Sequence, residues 1–389
     1  MDKIYLVKNL TPWMVDEILA FSLITEFRLV LLRKPNDFYI TRLKDIEANG
    51  IEIIYNPYEY NNLLRKVLFL IKFVFVNFPK FLKGYNSVIG GKSIFWFLKL
   101  DLKLFHESST IHAQFATQPS IIALMLKKYY KNKLNYSFTF HAHDIYFKNK
   151  WFCKLVNESF ISFSISVYNI NYIDKHYKEI NKGKIALSRL GVFPPRNSKK
   201  NKYNKNDQLV LGFLSWFVEK KGIKYLLEAV KVLSTKRKIK LKIAGDGPLL
   251  NYIKEFIKTN TLESYIEYLG KLDTKGKEDF YRSIDVFVLP SIIIKNDMDG
   301  IPVVLMEAIS YGIPIITTNI SGIPEIFNNN GCLIEQKSTD AIIDSFQHFV
   351  NSAEAKTFSK NSLEMFKQFN ILENSKNKII NLNWNSQNL

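Results

Sequence analysis

"VFVLPSIIIKNDMDGIPVVLMEAISYGIPIITT", residues 286–318, contains a complete supersecondary unit. VFVLPS (286–291) and IPIITT (313–318) are strand-length runs rich in Val and Ile, and a short helix lies between them. Pro302 is expected at the first helical position and Gly312 as its stop, so the helix runs about from Pro302 to Tyr311. Strands of this kind joined through a helix are parallel neighbours in a sheet covered on both faces.

The same alternation extends outward. RLVLL (28–32), IEIIY (51–55), TIHAQF (110–115), YSFTF (136–140) and SFSIS (162–166) precede it, as do QLVLGFL (208–214), KLKIAG (240–245) and YIEYLG (265–270). Helix-length segments separate them. Between the two sets lies GVFPPRNSKKNKYNKND (191–207), with two prolines and little to bury, which reads as a linker between domains 1–190 and 208–389. The expectation is an α/β chain of two doubly wound, Rossmann-like parallel-sheet domains facing across a cleft. Such sheets bind ligands at the carboxyl ends of their strands.

With 389 residues, 47% of them hydrophobic, the chain can bury two ordinary cores. Its 54 Lys+Arg against 36 Asp+Glu leave a formal charge of +18, which suits nucleic acid, anionic lipid or a phosphorylated substrate. Nucleic acid is the weakest of these, because the basic residues are scattered and no reading module is present. Two distant cysteines, Cys153 and Cys332, indicate neither a disulfide framework nor a zinc ribbon. The start, MDKIYLVKNLTPW, has an apolar run of only Ile4 to Val7, so no signal peptide is expected and the location expected is cytoplasmic.

LLRKVLFLIKFVFVNFPKFLK (63–83) is interrupted by Lys72, Asn77 and Pro79, which argues against a spanning helix. At about 100° per residue, Arg65, Lys66, Lys72, Asn77, Lys80 and Lys83 fall within an arc of roughly 140°, shared by Phe69, Phe73 and Val76. That arc is either a solvated basic side or a face that docks on anionic membrane through Arg65, Lys66, Phe69, Lys72, Phe73, Lys80 and Lys83.

Four short motifs carry candidate chemistry. Asp297 and Asp299 form a D-x-D pair that could converge on a divalent cation; alternatively Asp299 belongs with Glu307 as two carboxylates at one helix mouth. The free N–H groups and positive dipole end of that helix face Asp299 and Gly300, and Gly300 lets a ligand approach the backbone. IAGDGP (243–248) is a strand entering a glycine turn; Gly245 and Gly247 permit close approach to a phosphate or base, while Leu250 in place of a third glycine argues against a dinucleotide enzyme. In FVEKKG (217–222), Lys220 and Lys221 precede Gly222, where a lysine can neutralise a diphosphate or simply be solvated. FHAHDIY places His141, His143 and Asp144 after a strand, with no matching ligand cluster elsewhere, so a hydrogen-bonding or proton-handling role is favoured over metal binding.

Taken in order, FTFHAHDIY, SVYNINYI, KIALSRLGV, FVEKKGIKYLLEAV, IAGDGP, YRSIDVFVLPS and DGIPVVLMEAISYGIPIITTNISGIPEI resemble the group 1 glycosyltransferases, family 4 retaining enzymes of GT-B fold. The resemblance is dense in the second half and thinner in the first. It implies a nucleotide-sugar donor, UDP- or GDP-linked, held mainly by the second domain, an acceptor held mainly by the first, retention at the anomeric carbon, and neither metal nor cofactor. The last helix is expected to pack back on the first domain.

By position, the family's E-x7-E falls on Asp299 and Glu307, which makes Asp297 incidental. The resemblance implies that Glu307 binds the donor ribose, Asp299 sits by the sugar and reaction centre, Lys221 holds the diphosphate and His141 contacts the sugar. Gly245, Asp246, Gly247 and Pro248 lie by the nucleotide, and backbone groups of Gly300, Ile301, Pro302 and Val303 complete the donor site. Three departures stand out. The first acid is Asp, Trp216 occupies the place of a diphosphate-binding arginine, and KNLTPWMVDEIL (8–19) replaces a glycine-rich loop.

The leading expectation is a glycosyltransferase that extends a cell-surface polysaccharide on a lipid carrier. A GT-B nucleotide-sugar epimerase, and a degenerate sugar-nucleotide binder with little transfer activity, are the competing readings.

Overall fold

The computed structural model describes residues 2–55, 57–58, 62–81, 84–146, 149–196, 208–295, 297–349 and 352–384. Lys83 and most of the expected linker, 197–207, lie outside them. The chain divides into two compact units, Met1–Leu190 with Ile371–Leu389, and Gly191–Asn370.

The first unit contains β1 (Lys3–Val7), β2 (Arg28–Leu31), β3 (Glu52–Tyr55), β4 (Thr110–Gln114), β5 (Asn135–Phe140), β6 (Ser162–Ser164) and β7 (Ile185–Leu187). They form one parallel sheet in the order β3-β2-β1-β4-β5-β6-β7. On one side the helix Pro12–Ser22 buries Met14, Val15, Ile18 and Phe21, a spacing that keeps one face of a 3.6-residue helix inward. The segment 371–384 completes this core: Ile379, Leu382 and Trp384 join Phe21, Phe27 and Phe163. Trp384 stacks on Phe27 at 6.3 Å and donates its indole N–H to Thr110 Oγ1 at 2.8 Å. Beneath it Lys378 Nζ meets Glu17 Oε1 at 2.6 Å, with both side chains nearly buried.

The second unit holds β8 (Leu209–Trp216), β9 (Ile239–Asp246), β10 (Ile266–Tyr268), β11 (Val286–Leu289), β12 (Ile315–Thr318) and β13 (Gly331–Ile334). This sheet is also parallel, in the order β10-β9-β8-β11-β12-β13. All four residues of β11 and of β12 are buried; β11 is accordingly continuously apolar, and in β12 the Thr317 and Thr318 hydroxyls donate to the carbonyls of Leu289 and Ser291. The strand order reverses between β8 and β11, so the crevice beyond their carboxyl ends is the topological switch point.

The helix in 286–318 spans Val303–Ser310, with Pro302 as its N-cap rather than its first residue; Gly312 follows it at φ +70°. β7 and β13 were not among the strand-like runs, being three and four residues long without a clear apolar run of their own.

The helix Leu63–Val76 corrects the expected membrane face. Lys66 is fully buried and donates to the carbonyls of Leu98 and Leu100, at 3.3 and 2.7 Å, where the helix Gly84–Lys99 ends. Phe73 is buried and stacks on Trp151 at 6.1 Å, and Phe69 packs on Phe97 and Tyr129. Half of the expected arc therefore points inward. Apolar side chains occupy both flanks of this helix, so the cations did not mark its outer side. Arg65 and Lys72 are exposed and Lys80 half-buried. Among the described residues no helix is long and apolar enough to cross a membrane.

Candidate functional site

After β8 the chain makes a short 3-10 turn, Glu219–Lys221, and enters the helix Ile223–Ser234 through Gly222 at φ +69°. A Cβ on Gly222 would sit 1.8 Å from the carbonyl oxygen of Pro290, immediately after β11. Only glycine permits this contact, which holds the ends of the two switch-point strands together and brings Lys220 and Lys221 over them.

Lys221 Nζ lies 2.8 Å from both carboxylate oxygens of Asp299, and Ser291 Oγ donates to Asp299 Oδ2 at 2.8 Å. Asp297 instead pairs with Lys220, at 2.7 Å. Lys220 Nζ also lies 3.9 Å from Asp299 Oδ1, so the two lysines and the two acids of the D-x-D pair form one network. Among the described residues no three His, Cys, Asp or Glu side chains group as metal ligands. Gly300 faces open space, with nothing within 4 Å of where a Cβ would stand. Ile301 and Pro302 are buried behind it, and the helix opens at Val303 with its first N–H groups free of helical partners.

Glu307 is in a different environment. Its Oε1 meets Lys277 Nζ at 2.8 Å, and its Oε2 accepts from the Tyr281 hydroxyl at 2.7 Å. Burial and the neighbouring Glu307 carboxylate push the Tyr281 phenol well above its ordinary value, so it acts as a donor. Lys277, on the helix Thr274–Arg282, had no signal in the sequence; Tyr281 and Ser291 lie at the two ends of the motif YRSIDVFVLPS but were given no role.

The 243–248 loop has a packing reason for its glycines. Gly245 and Gly247 have φ of +130° and +145°; a Cβ would fall 1.9 Å from Ser215 O in the first case and 2.6 Å from Phe217 N in the second. Their smallness is required by the close approach of the β8 strand end. Asp246 accepts from Gly247 N at 2.8 Å and pairs with Lys271 at 2.9 Å, contacts that hold its carboxyl below the usual value. Pro248 is exposed, as is the Trp216 ring at the tip of β8.

In the first unit His141 follows β5 and lies between Trp13 and Phe115, with ring centroids 4.8 and 4.6 Å away. Gln114, at the end of β4, donates its amide N–H groups at 2.5 Å to Tyr5 Oη and to Glu17 Oε2. Its oxygen is left as acceptor for His141 Nε2 at 3.4 Å, which makes Nε2 the protonated nitrogen. Desolvation, aided by the Lys378 charge, pushes His141 down to about 3, so the ring is neutral at physiological pH. Asp144 receives His141 N at 2.9 Å, and burial pushes its carboxyl up to about 7. His143 is exposed.

Residues 195–365 match the family model of the group 1 glycosyl transferases. That region is similar to the group 1 glycosyl transferases, and the two parallel-sheet units have the GT-B fold. An uncharacterized glycosyltransferase of Methanocaldococcus jannaschii is 27% identical over 85% of this chain and 88% of its own length. A putative colanic acid biosynthesis glycosyltransferase of Salmonella typhimurium is 33% identical over 43% of this chain and 42% of its own, so the chain spans under half of that relative. Among solved structures, a glycosyltransferase from Rickettsia africae matches with a TM-score of 0.68 at 17% identity, covering 99% of both chains. Anabaena HepE in complex with UDP and glucose matches with a TM-score of 0.66 at 12% identity, covering 98% of this chain and 100% of that one.

Proposed function

We propose that the protein transfers a sugar, with retention and without a metal, from a UDP- or GDP-sugar to a lipid-linked glycan acceptor in cell-surface polysaccharide synthesis. The observation that carries this reading is the Lys221–Asp299–Ser291 cluster at the carboxyl ends of β8 and β11, beside the open Gly300 and the start of the helix Val303–Ser310. As the glycosidic bond to the nucleoside diphosphate breaks, the leaving group gains charge; Lys221 and the helix N–H groups are fixed donors for it. Glu307, held by Lys277 and Tyr281, offers carboxylate oxygens to ribose hydroxyls. His141, neutral and with Nδ1 as acceptor, suits a sugar hydroxyl rather than a phosphate. The colanic acid relative and the UDP-bound neighbour support the polysaccharide setting and the donor class.

Thermal stabilisation by a panel of UDP-, GDP-, dTDP- and CMP-sugars, each with and without EDTA, tests this. A donor at about 100 times its Kd adds roughly 2.7 kcal/mol to the stability of the unit that binds it. The expected result is a shift with one nucleotide class that is unaffected by EDTA and lost in Glu307→Ala. No shift with any donor, or one abolished by EDTA and restored by manganese, overturns the reading. A shift without sugar transfer would favour a degenerate binder, for which exposed Trp216 in place of a cation is the motive.

A further inference from the structure

The helix Leu63–Val76 and the residues just after it expose apolar side chains densely. Of eighteen exposed large hydrophobic residues among the described positions, eight lie between Leu63 and Phe78. Leu64, Leu68, Ile71 and Phe75 are 74, 60, 63 and 84% exposed. Their spacing of four, three and four puts them on one stripe, while Lys66, Leu70 and Phe73 hold the opposite side against the unit's core. At about 100° per residue the stripe covers roughly 100° of arc, counting Val67, and Lys72 and Arg65 fall on its flank.

Isolated exposed apolar residues are ordinary, but a contiguous stripe of this size on one helix marks a surface that meets something apolar. Charge decides what. From residue 60 to residue 100 the sequence has seven Lys or Arg and neither Asp nor Glu. The packed neighbour Gly84–Lys99 repeats the combination along one face: exposed Val88 and Phe95 alternate with Lys92 and Lys99, the last lying 4.1 Å over the Phe95 ring. A second copy of this face would bring like charges together. An anionic bilayer satisfies both halves of the pattern, since acyl chains accept the stripe and headgroup phosphates accept the cations.

We propose that this unit docks on the anionic membrane surface through Leu64, Val67, Leu68, Ile71 and Phe75 inserted at the headgroup boundary, with Arg65 and Lys72 on phosphates. The helix lies in the plane of the surface, and the stripe, not the arc that includes Lys66 and Phe73, is the side that enters. The inference stands on the exposed face and not on the transfer reaction, so vesicle binding and donor binding succeed or fail separately.

The test is co-sedimentation of the full chain with vesicles of equal parts phosphatidylglycerol and phosphatidylcholine, and with phosphatidylcholine alone. The compared proteins are wild type, Leu68→Ser/Ile71→Ser/Phe75→Ser and Arg65→Gln/Lys72→Gln. All substitutions are on exposed positions, and unchanged melting temperatures establish that the variants fold. Wild type should bind the anionic vesicles, with partitioning falling about tenfold or more in the triple variant and several-fold in the double. Equal binding to phosphatidylcholine alone, or anionic binding that the triple variant retains, overturns the proposal. So does a lipid-free dimer that the triple variant dissolves, because the stripe would then belong to a second copy.

Discussion

Lys221 has one ammonium group, and in this structure Asp299 takes it with both oxygens. Lys220 is similarly engaged by Asp297. The two pairs sum to no net charge, and Trp216 stands where a further cation is expected. A diphosphate entering here therefore competes with carboxylates the protein already holds. Asp297→Asn should release Lys220 and leave transfer unchanged or raise donor affinity a few-fold. Under the proposed transfer, Asp299→Asn should lower kcat by about two orders of magnitude or more, because it removes the group that holds Lys221 in place. Steady-state kinetics of both variants check this; an equal collapse in the two would restore the D-x-D reading. His141 makes a separate prediction. Its depressed value means that the folded state resists protonation, so the stability that depends on the neutral ring is present above about pH 6.5 and is lost as pH falls toward about 3. The His141 side-chain nitrogen signals should show no titration between pH 8 and 5, and a midpoint near 6.5 would contradict the burial.

At the scale of elements, the centre of the second sheet was legible because β8 and β11 are largely or wholly buried and so read as apolar runs between helices. β13 escaped because Gly331–Ile334 is a short edge strand behind an Asn-rich turn. The motif residues were legible as types and positions, but their partners were not: Lys277, Tyr281 and Ser291 come from elements whose approach only the fold sets. Glycines were the least readable, since a ligand and a neighbouring strand both ask for a missing Cβ. The structure shows which glycines a neighbouring strand requires and which face open space. Gly222→Ala would combine a left-handed φ with a backbone clash at Pro290, and should destabilise the second unit by about 3 kcal/mol or more. Gly300→Ala meets open space and should leave stability within about 0.5 kcal/mol while weakening donor binding. Chemical denaturation and donor titration of the two variants distinguish these outcomes.

For the whole molecule, the chain leaves the first unit after Leu190 and returns to it at Ile371. Nothing in ILENSKNKIIN marks Lys378 as the buried partner of a residue 361 positions earlier, because its neighbours are mostly polar and its spacing is that of any surface helix. Burial lowers the Lys378 pKa, and the Glu17 carboxylate opposes that shift. Lys378→Met should cost about 3–5 kcal/mol by stranding the Glu17 charge, and adding Glu17→Gln, which removes that charge but keeps an acceptor for Tyr5 and Gln114, should return much of the loss. A double-mutant cycle in urea measures the coupling, and strict additivity of the two changes would deny it.

The same return of the chain bears on how the protein is made. Nascent domains ordinarily finish in the order in which they are translated. Here the second unit is complete once Asn370 has emerged, while the first still lacks Ile379, Leu382 and Trp384. The earlier-synthesised unit must therefore be the later one to close. Until the segment 371–384 leaves the ribosome, Phe21, Phe27 and Phe163 have no Trp384 to cover them, and nascent chains halted before it should engage chaperones through that uncovered aromatic seat.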